Sequence, residues 1–309
     1  MACEFEVLLN QHQYPDAPDS AIRALDLIEK YEADLSVYRS RSDLSTLNRF
    51  GGERMVAMSG ETLSMLCLAR DLYELTEHAF DITAGSLSEV WGFSRREARR
   101  PSDGEIAEAL QTVGTDLLKV DQEGATAGFS RPGVKVNPGG IGKGFALDRA
   151  AQQLGREGVH DFMMHGGLSS VLARGDRLHP ETGGGWLVAL KHPLRWEQQL
   201  GTIRLRDQAL ATSGSGKQFF HFQGKRYSHI IDPRSGWPAQ QMLSATVICR
   251  SAAVADALAT AFFVMGEKAA TAFCDQHPQI SAILIYQEGD SRKQKLKTVN
   301  LTSDQWIEP

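Results

Sequence analysis

Val136-Asn137-Pro138-Gly139-Gly140-Ile141-Gly142-Lys143-Gly144-Phe145-Ala146 is the stretch around which the chain organises itself. A strand-like run over 133–137 meets a glycine turn, and a helix is expected from Gly142 to Leu154. Glycines let backbone N–H groups approach a ligand closely, and a helix N-terminus favours negative charge. Lys143 adds a full positive charge. The spacing matches neither the dinucleotide GxGxxG fingerprint nor the Walker pattern, which needs Ser or Thr after its GK. Alone, the turn reads equally well as a tight turn or as a phosphate cradle.

Outward from this turn, strands and helices interleave. Strands are expected at Phe5–Leu9 and over 116–121, 160–165 and 168–173. Helices are expected over Ser20–Leu35, with Ile22, Leu25 and Ile28 at threefold spacing, and from the cap at Ser59 to about His78. Residues 36–52 are rich in Ser, Arg and Asn and read as a loop. Ser102-Asp103-Gly104-Glu105 forms a capping box, and Gly114 suits the stop of that helix. The second half holds strand-like runs at Trp186–Lys191, Gly201–Arg206, Ala209–Thr212, Ser244–Arg250 and Ile280–Tyr286. Gln223-Gly224 reads as a hairpin turn, and a helix is expected from Ala252 to Met265, stopped by Gly266. Neither repeats nor a linker appear, so the expectation is one α+β domain over residues 1–309.

The 309 residues are 42% hydrophobic and 23% charged, ordinary for a globular chain, with a formal net charge of -5. That balance lacks the basic stripe of a nucleic-acid binder. Arg95-Arg96 and Arg99-Arg100 read as a solvated face. Cys3, Cys67, Cys249 and Cys274 contain no CxxC pair. No apolar run reaches the roughly 18 residues of a membrane span. The chain is therefore expected to be soluble, cytoplasmic as it stands or periplasmic if an export signal has been removed.

Four further stretches carry candidate chemistry. Asp256 and Thr260 stand four residues apart on one helix face, and both offer oxygen to a hard cation such as Mg2+. The Asp reads equally as a dipole-favouring residue near a helix start. His229, before the Asp232-Pro233 and Ser235-Gly236 turn, suits proton transfer from a hydroxyl or an ordinary structural role. Ala79-Phe80-Asp81 follows a helix, and Phe80 suits ring stacking or core packing. Tyr38, with Ser40, Ser42, Ser45 and Asn48, forms a polar loop suited to line a pocket. A second Gly/Ser turn, Ser213–Gly216, suits an anion.

Taken in order, these segments resemble the ApbE family of flavin transferases. The resemblance runs through 37–50, 78–93, 136–150, 163–171, 209–220, 225–238 and 245–266, nearly the whole chain. It implies a T-fold-like core of mixed, mostly antiparallel sheet with flanking helices. By position, it implies metal ligands at Asp256, Thr260 and the Gly140 carbonyl. It implies flavin-nucleotide contacts at Tyr38, Ala79, Phe80, Asp81 and Lys143, a base at His229, and Ile230 lining the same site. Met1-Ala2-Cys3 stands where the family has Met-Gly-Thr, which implies a contact from Met1. Asn137-Pro138 replaces a frequent Asp-Leu, and Leu168 a frequent Asp or Asn.

The implied activity uses FAD and Mg2+ to place FMN on a Ser or Thr hydroxyl of a partner protein, releasing AMP. The alternatives are an FAD pyrophosphatase, with water in place of the hydroxyl, and a non-catalytic FAD-binding protein.

Overall fold

The computed structural model describes residues 3–95, 97–178, 183–216, 219–287 and 293–308. The chain opens with β1 (Phe5–Leu9) and the long helix α1 (Ala17–Leu35). Then come α2 (Asp43–Phe50), β2 (Val56–Ala57), α3 (Gly60–Leu75), α4 (Gly85–Val90) and α5 (Asp103–Leu110). A hairpin of β3 (Leu118–Asp121) and β4 (Thr126–Phe129) precedes the glycine turn and α6 (Gly142–Arg156). Six strands follow: β5 (Phe162–Gly166), β6 (Ser170–Arg174), β7 (Trp186–Lys191), β8 (Gln199–Leu205), β9 (Gln208–Gly214) and β10 (Phe219–Phe222). The chain continues through β11 (Lys225–Ser228), β12 (Met242–Cys249), α7 (Ala252–Met265) and α8 (Glu267–Gln276). It ends with β13 (Ser281–Gln287), β14 (Gln294–Val299) and β15 (Trp306–Ile307).

A seven-stranded sheet in the order β1-β5-β6-β9-β12-β13-β14 forms the frame, and its neighbouring strands pair antiparallel. The interior strand β12, between β9 and β13, is buried along its whole length because both sheet faces are covered. Ala245, Val247 and Cys249 point into the larger core, which contains α1, α3, α6 and α7. Ile248 points to the other face, with Trp186, Ile203 and Leu205 of the small sheet β15-β8-β7. This is the period-two alternation of a strand, with both faces apolar because both are packed.

Helices α6 and α7 lie together on one face, and glycine makes their approach possible. A Cβ on Gly144 would collide with the Ala252 carbonyl at the start of α7. Asp148, one turn along α6, caps α7. Its oxygens accept from Ser251 Oγ at 2.6 Å, Ala252 N at 2.9 Å and Ala253 N at 3.0 Å. The aspartate satisfies orphan amides and opposes the positive end of the helix dipole.

Several sequence expectations need correction. The polar stretch 36–52 contains α2, capped by Ser42, whose Oγ accepts from Ser45 N at 3.0 Å. Leu44 and Leu47 supply its buried stripe. The run 133–137 is not a strand, although Lys135 bridges Ala84. Val136 pairs with a side chain instead: its N–H donates to Asn48 Oδ1 at 2.7 Å, and its carbonyl accepts from Asn48 Nδ2 at 2.9 Å. Strand β9 extends through Gly214, so Ser213 lies in a strand rather than a turn. Gln223-Gly224 does turn the β10–β11 hairpin, with φ of 49° and 76°, the left-handed pair that a two-residue loop requires. Arg99 and Arg100 pair with Glu105 and Asp103, while Arg96 lies outside the described residues.

Candidate active site

The glycine turn ends in a short 3-10 segment, Pro138–Gly140, fixed by Asn137 Oδ1, which accepts from Gly139 N at 2.9 Å. The α-helical ladder of α6 then begins with Phe145 N donating to the Ile141 carbonyl at 3.0 Å. Gly144, the third residue of α6, carries one of the first-turn N–H groups that have no partner within the helix. It donates instead to Asp256 Oδ2, at 2.7 Å. The Gly140 carbonyl precedes the N-cap of α6 and stands outside its ladder.

Asp256 is buried, with 6% relative exposure, on the second turn of α7. Its other oxygen, Oδ1, accepts from Ser170 Oγ at 2.6 Å, at the start of β6. Lys143 Nζ stands 3.8 Å from Oδ2. Burial pushes the Asp256 carboxyl above the usual carboxylate range, opposed by the Lys143 charge and by the Ser170 and Gly144 donors. Thr260, one turn on, has its Oγ1 3.2 Å from the Asp256 carbonyl and 3.1 Å from Ser213 Oγ. A Cβ on Gly140 would stand 3.1 Å from Thr260 Oγ1 and 3.2 Å from Phe80 Cε2. The absence of a side chain there keeps the Gly140 backbone against Thr260.

This oxygen-rich set suits a hard cation that takes few protein ligands: a buried carboxylate, a hydroxyl and a carbonyl at the glycine turn. Among the described residues, no cluster of three His, Cys, Asp or Glu forms a metal cage of the all-protein kind.

A cavity of about 500 Å3 opens beside the turn. Tyr38, Ser40, Ser45, Asn48, Lys135 and Asn137 contribute to its wall, with Tyr38 76% exposed. Ser94 lines it as well, and Phe93 next to it meets the His229 ring edge-on at 6.4 Å. His229, expected on a strand, instead follows the last residue of β11 in a bend. Ile230 is buried beside it, its N–H donating to Ser228 Oγ at 3.1 Å.

The remaining candidates fall into two groups. Ala79 and Phe80 are core residues, 1% and 3% exposed, and Phe80 packs its ring against Gly140. Asp81 braces a turn: one oxygen accepts from Thr83 N at 2.7 Å, Thr83 Oγ1 at 2.6 Å and Thr115 Oγ1 at 2.7 Å. Met1 lies outside the described residues. Sequence reasoning missed Ser170 and the Gly144 amide, which hold the Asp256 carboxylate. It singled out Ser213, though as a turn residue rather than a partner of Thr260.

The model of the ApbE family matches residues 1–284. A protein of Vibrio cholerae named FAD:protein FMN transferase is 34% identical over 273 residues, covering 87% of this chain and 79% of that one. A Haemophilus influenzae protein of the same name is 31% identical over 249 residues, covering 78% and 71%. The solved structure of the flavin transferase ApbE from Vibrio cholerae superposes with a TM-score of 0.82 at 31% identity, covering 97% of this chain and 94% of that one. With the family model spanning both the glycine turn and the Asp256 helix, this chain belongs to the ApbE family.

Proposed function

We propose that this chain is an FAD:protein FMN transferase, working as one domain over residues 1–309. It would use FAD and Mg2+ to attach FMN through a phosphoester to a Ser or Thr hydroxyl of a partner protein, with release of AMP. The carrying observation is the meeting of Gly144 N, Lys143 Nζ and Ser170 Oγ on one buried carboxylate, Asp256, below a glycine turn suited to phosphates.

Asp256, Thr260 and the Gly140 carbonyl would hold Mg2+, which supplies charge neutralisation at the pyrophosphate. Lys143 and the turn amides bind and orient the same phosphates, favouring the charge that develops there. Tyr38 lines the neighbouring cavity, where a ring system fits. His229 accepts the proton of the attacking hydroxyl. The oxygen of that hydroxyl bonds to the phosphorus of the FMN half, and the bond from that phosphorus to the oxygen carried off by AMP breaks.

The test incubates the chain with FAD, Mg2+ and a Ser/Thr target peptide and reads peptide mass. Transfer adds one FMN to the peptide, and Asp256→Ala abolishes that gain. FMN and AMP formed at the same rate with or without peptide would replace this reading with the pyrophosphatase. FAD left intact would replace it with a binding protein.

A further inference from the structure

A second cavity, of about 380 Å3, lies along α6 at the start of α7. Phe145, Asp148, Arg149, Gln152, Arg174 and Arg250 form most of its wall, and no residue of the candidate active site lines it. Three guanidinium groups therefore share one cavity with one carboxylate.

The charges are unevenly answered. Arg149 Nε stands 2.7 Å from Glu61 Oε2, and Nη1 donates to Gln152 Oε1 at 3.1 Å. Asp148 is committed to the α7 amides and to Ser251. Arg174 donates to the Ala173 and Arg250 carbonyls, at 3.0 and 3.4 Å. Among the described residues, neither Arg174 nor Arg250 has a carboxylate at ion-pair distance. Burial pushes the Arg174 guanidinium below its ordinary range, opposed by the charges of Asp148 and Asp207 and reinforced by Arg250.

We propose that this cavity is a second anion site, in which Arg174 and Arg250 take a phosphate-class oxyanion. Two like charges lining one cavity, Arg174 answered only by carbonyls and neither by a carboxylate at ion-pair distance, are relieved by a divalent anion. The planar fork of a guanidinium matches the spacing of phosphate oxygens. Volumes of several hundred Å3 admit a small phosphorylated molecule. Free phosphate and a nucleoside monophosphate share the required chemistry.

The test uses the full chain carrying Lys143→Ala, so that phosphate binding at the glycine turn is weakened and the two sites stay distinguishable. Calorimetric titration with inorganic phosphate at low salt should give one saturable site in this protein. Arg250→Ala, an exposed position, should weaken it at least about tenfold. Arg174→Gln, confirmed folded by its thermal melt, should do the same. AMP binding more tightly than phosphate identifies a nucleotide as the ligand, and equal affinities identify the free ion. No saturable binding, or equal binding with and without Arg250, overturns the proposal. Neither outcome bears on flavin transfer, which Arg250→Ala should leave unchanged.

Discussion

Ser170 Oγ gives Asp256 Oδ1 its hydrogen bond inside a layer closed to water. A buried carboxylate oxygen deprived of its donor bears the desolvation cost of that lost bond. Ser170→Ala should therefore lower unfolding stability by about 1–3 kcal/mol. Urea denaturation measures this, and a change within about 0.5 kcal/mol, the range of an ordinary surface substitution, would remove the serine from the account. The same variant should raise the Mg2+ concentration needed for flavin transfer, because Asp256 loses one of the two hydrogen bonds that orient it. Residues of this kind are illegible in sequence. Ser170 lies 86 positions from Asp256, and a serine in a Gly/Ser-rich block has many ordinary roles. Asp256 and Thr260 were legible because helical spacing alone places them on one face. Asn48 shows the opposite failure. Its side chain substitutes for a neighbouring strand at Val136, so an alternating apolar run looked like a strand and was not one.

At the scale of elements, α6 and α7 behave as a fitted pair. The Gly144 position faces the Ala252 carbonyl with no room for a methyl group. Gly144→Ala must separate the helices or bend the turn. The expected loss is about 1–3 kcal/mol for overpacking, read by chemical denaturation, with the Gly144–Asp256 bond lost alongside. An unchanged midpoint would show that the turn yields more readily than its geometry suggests. A second tie joins α1 to the far end of α6, where Arg23 meets Glu157 at 2.7 Å. Hydrogen bonding from Arg23, aided by Ser20, lowers the Glu157 carboxyl to about 2. A carboxyl depressed in the folded state stabilises above its ordinary value of 4.5 and loses that contribution as pH falls towards about 2. Arg23→Ala should therefore flatten the fall in melting temperature across that window and leave the slope near neutrality unchanged. Element boundaries were legible where caps are strong, as at Ser59, Ser102 and Ser251. Helix α2 was hidden because its buried stripe is only Leu44 and Leu47. Strand β14 was hidden because an edge strand with mostly uncovered residues has no apolar alternation to read.

For the molecule as a whole, the helices carrying the glycine turn and the Asp256–Thr260 pair rest on the middle of the large sheet, while the β10–β11 hairpin forms a separate sheet whose Phe220 and Tyr227 pack with α4 and α5. The α+β architecture was legible from interleaved helical and strand periods. The strand order was not, because β12 joins β9 and β13 across long stretches of chain and local pattern carries no such information. Strand β12, hydrogen-bonded on both edges and packed on both faces, also fixes a hierarchy in time. Its amides should be among the last in the chain to exchange with deuterium, through openings close to global unfolding, while those of β10, β11 and β14 exchange first. Mass spectrometry of exchanged peptides reads that order directly, and fast exchange at Thr246–Ile248 would contradict it. The oxygens on α7 are then anchored to the slowest-breathing part of the molecule. A ligand gripping only the Tyr38 cavity would protect the amides that line it and leave the β12 clock unaltered.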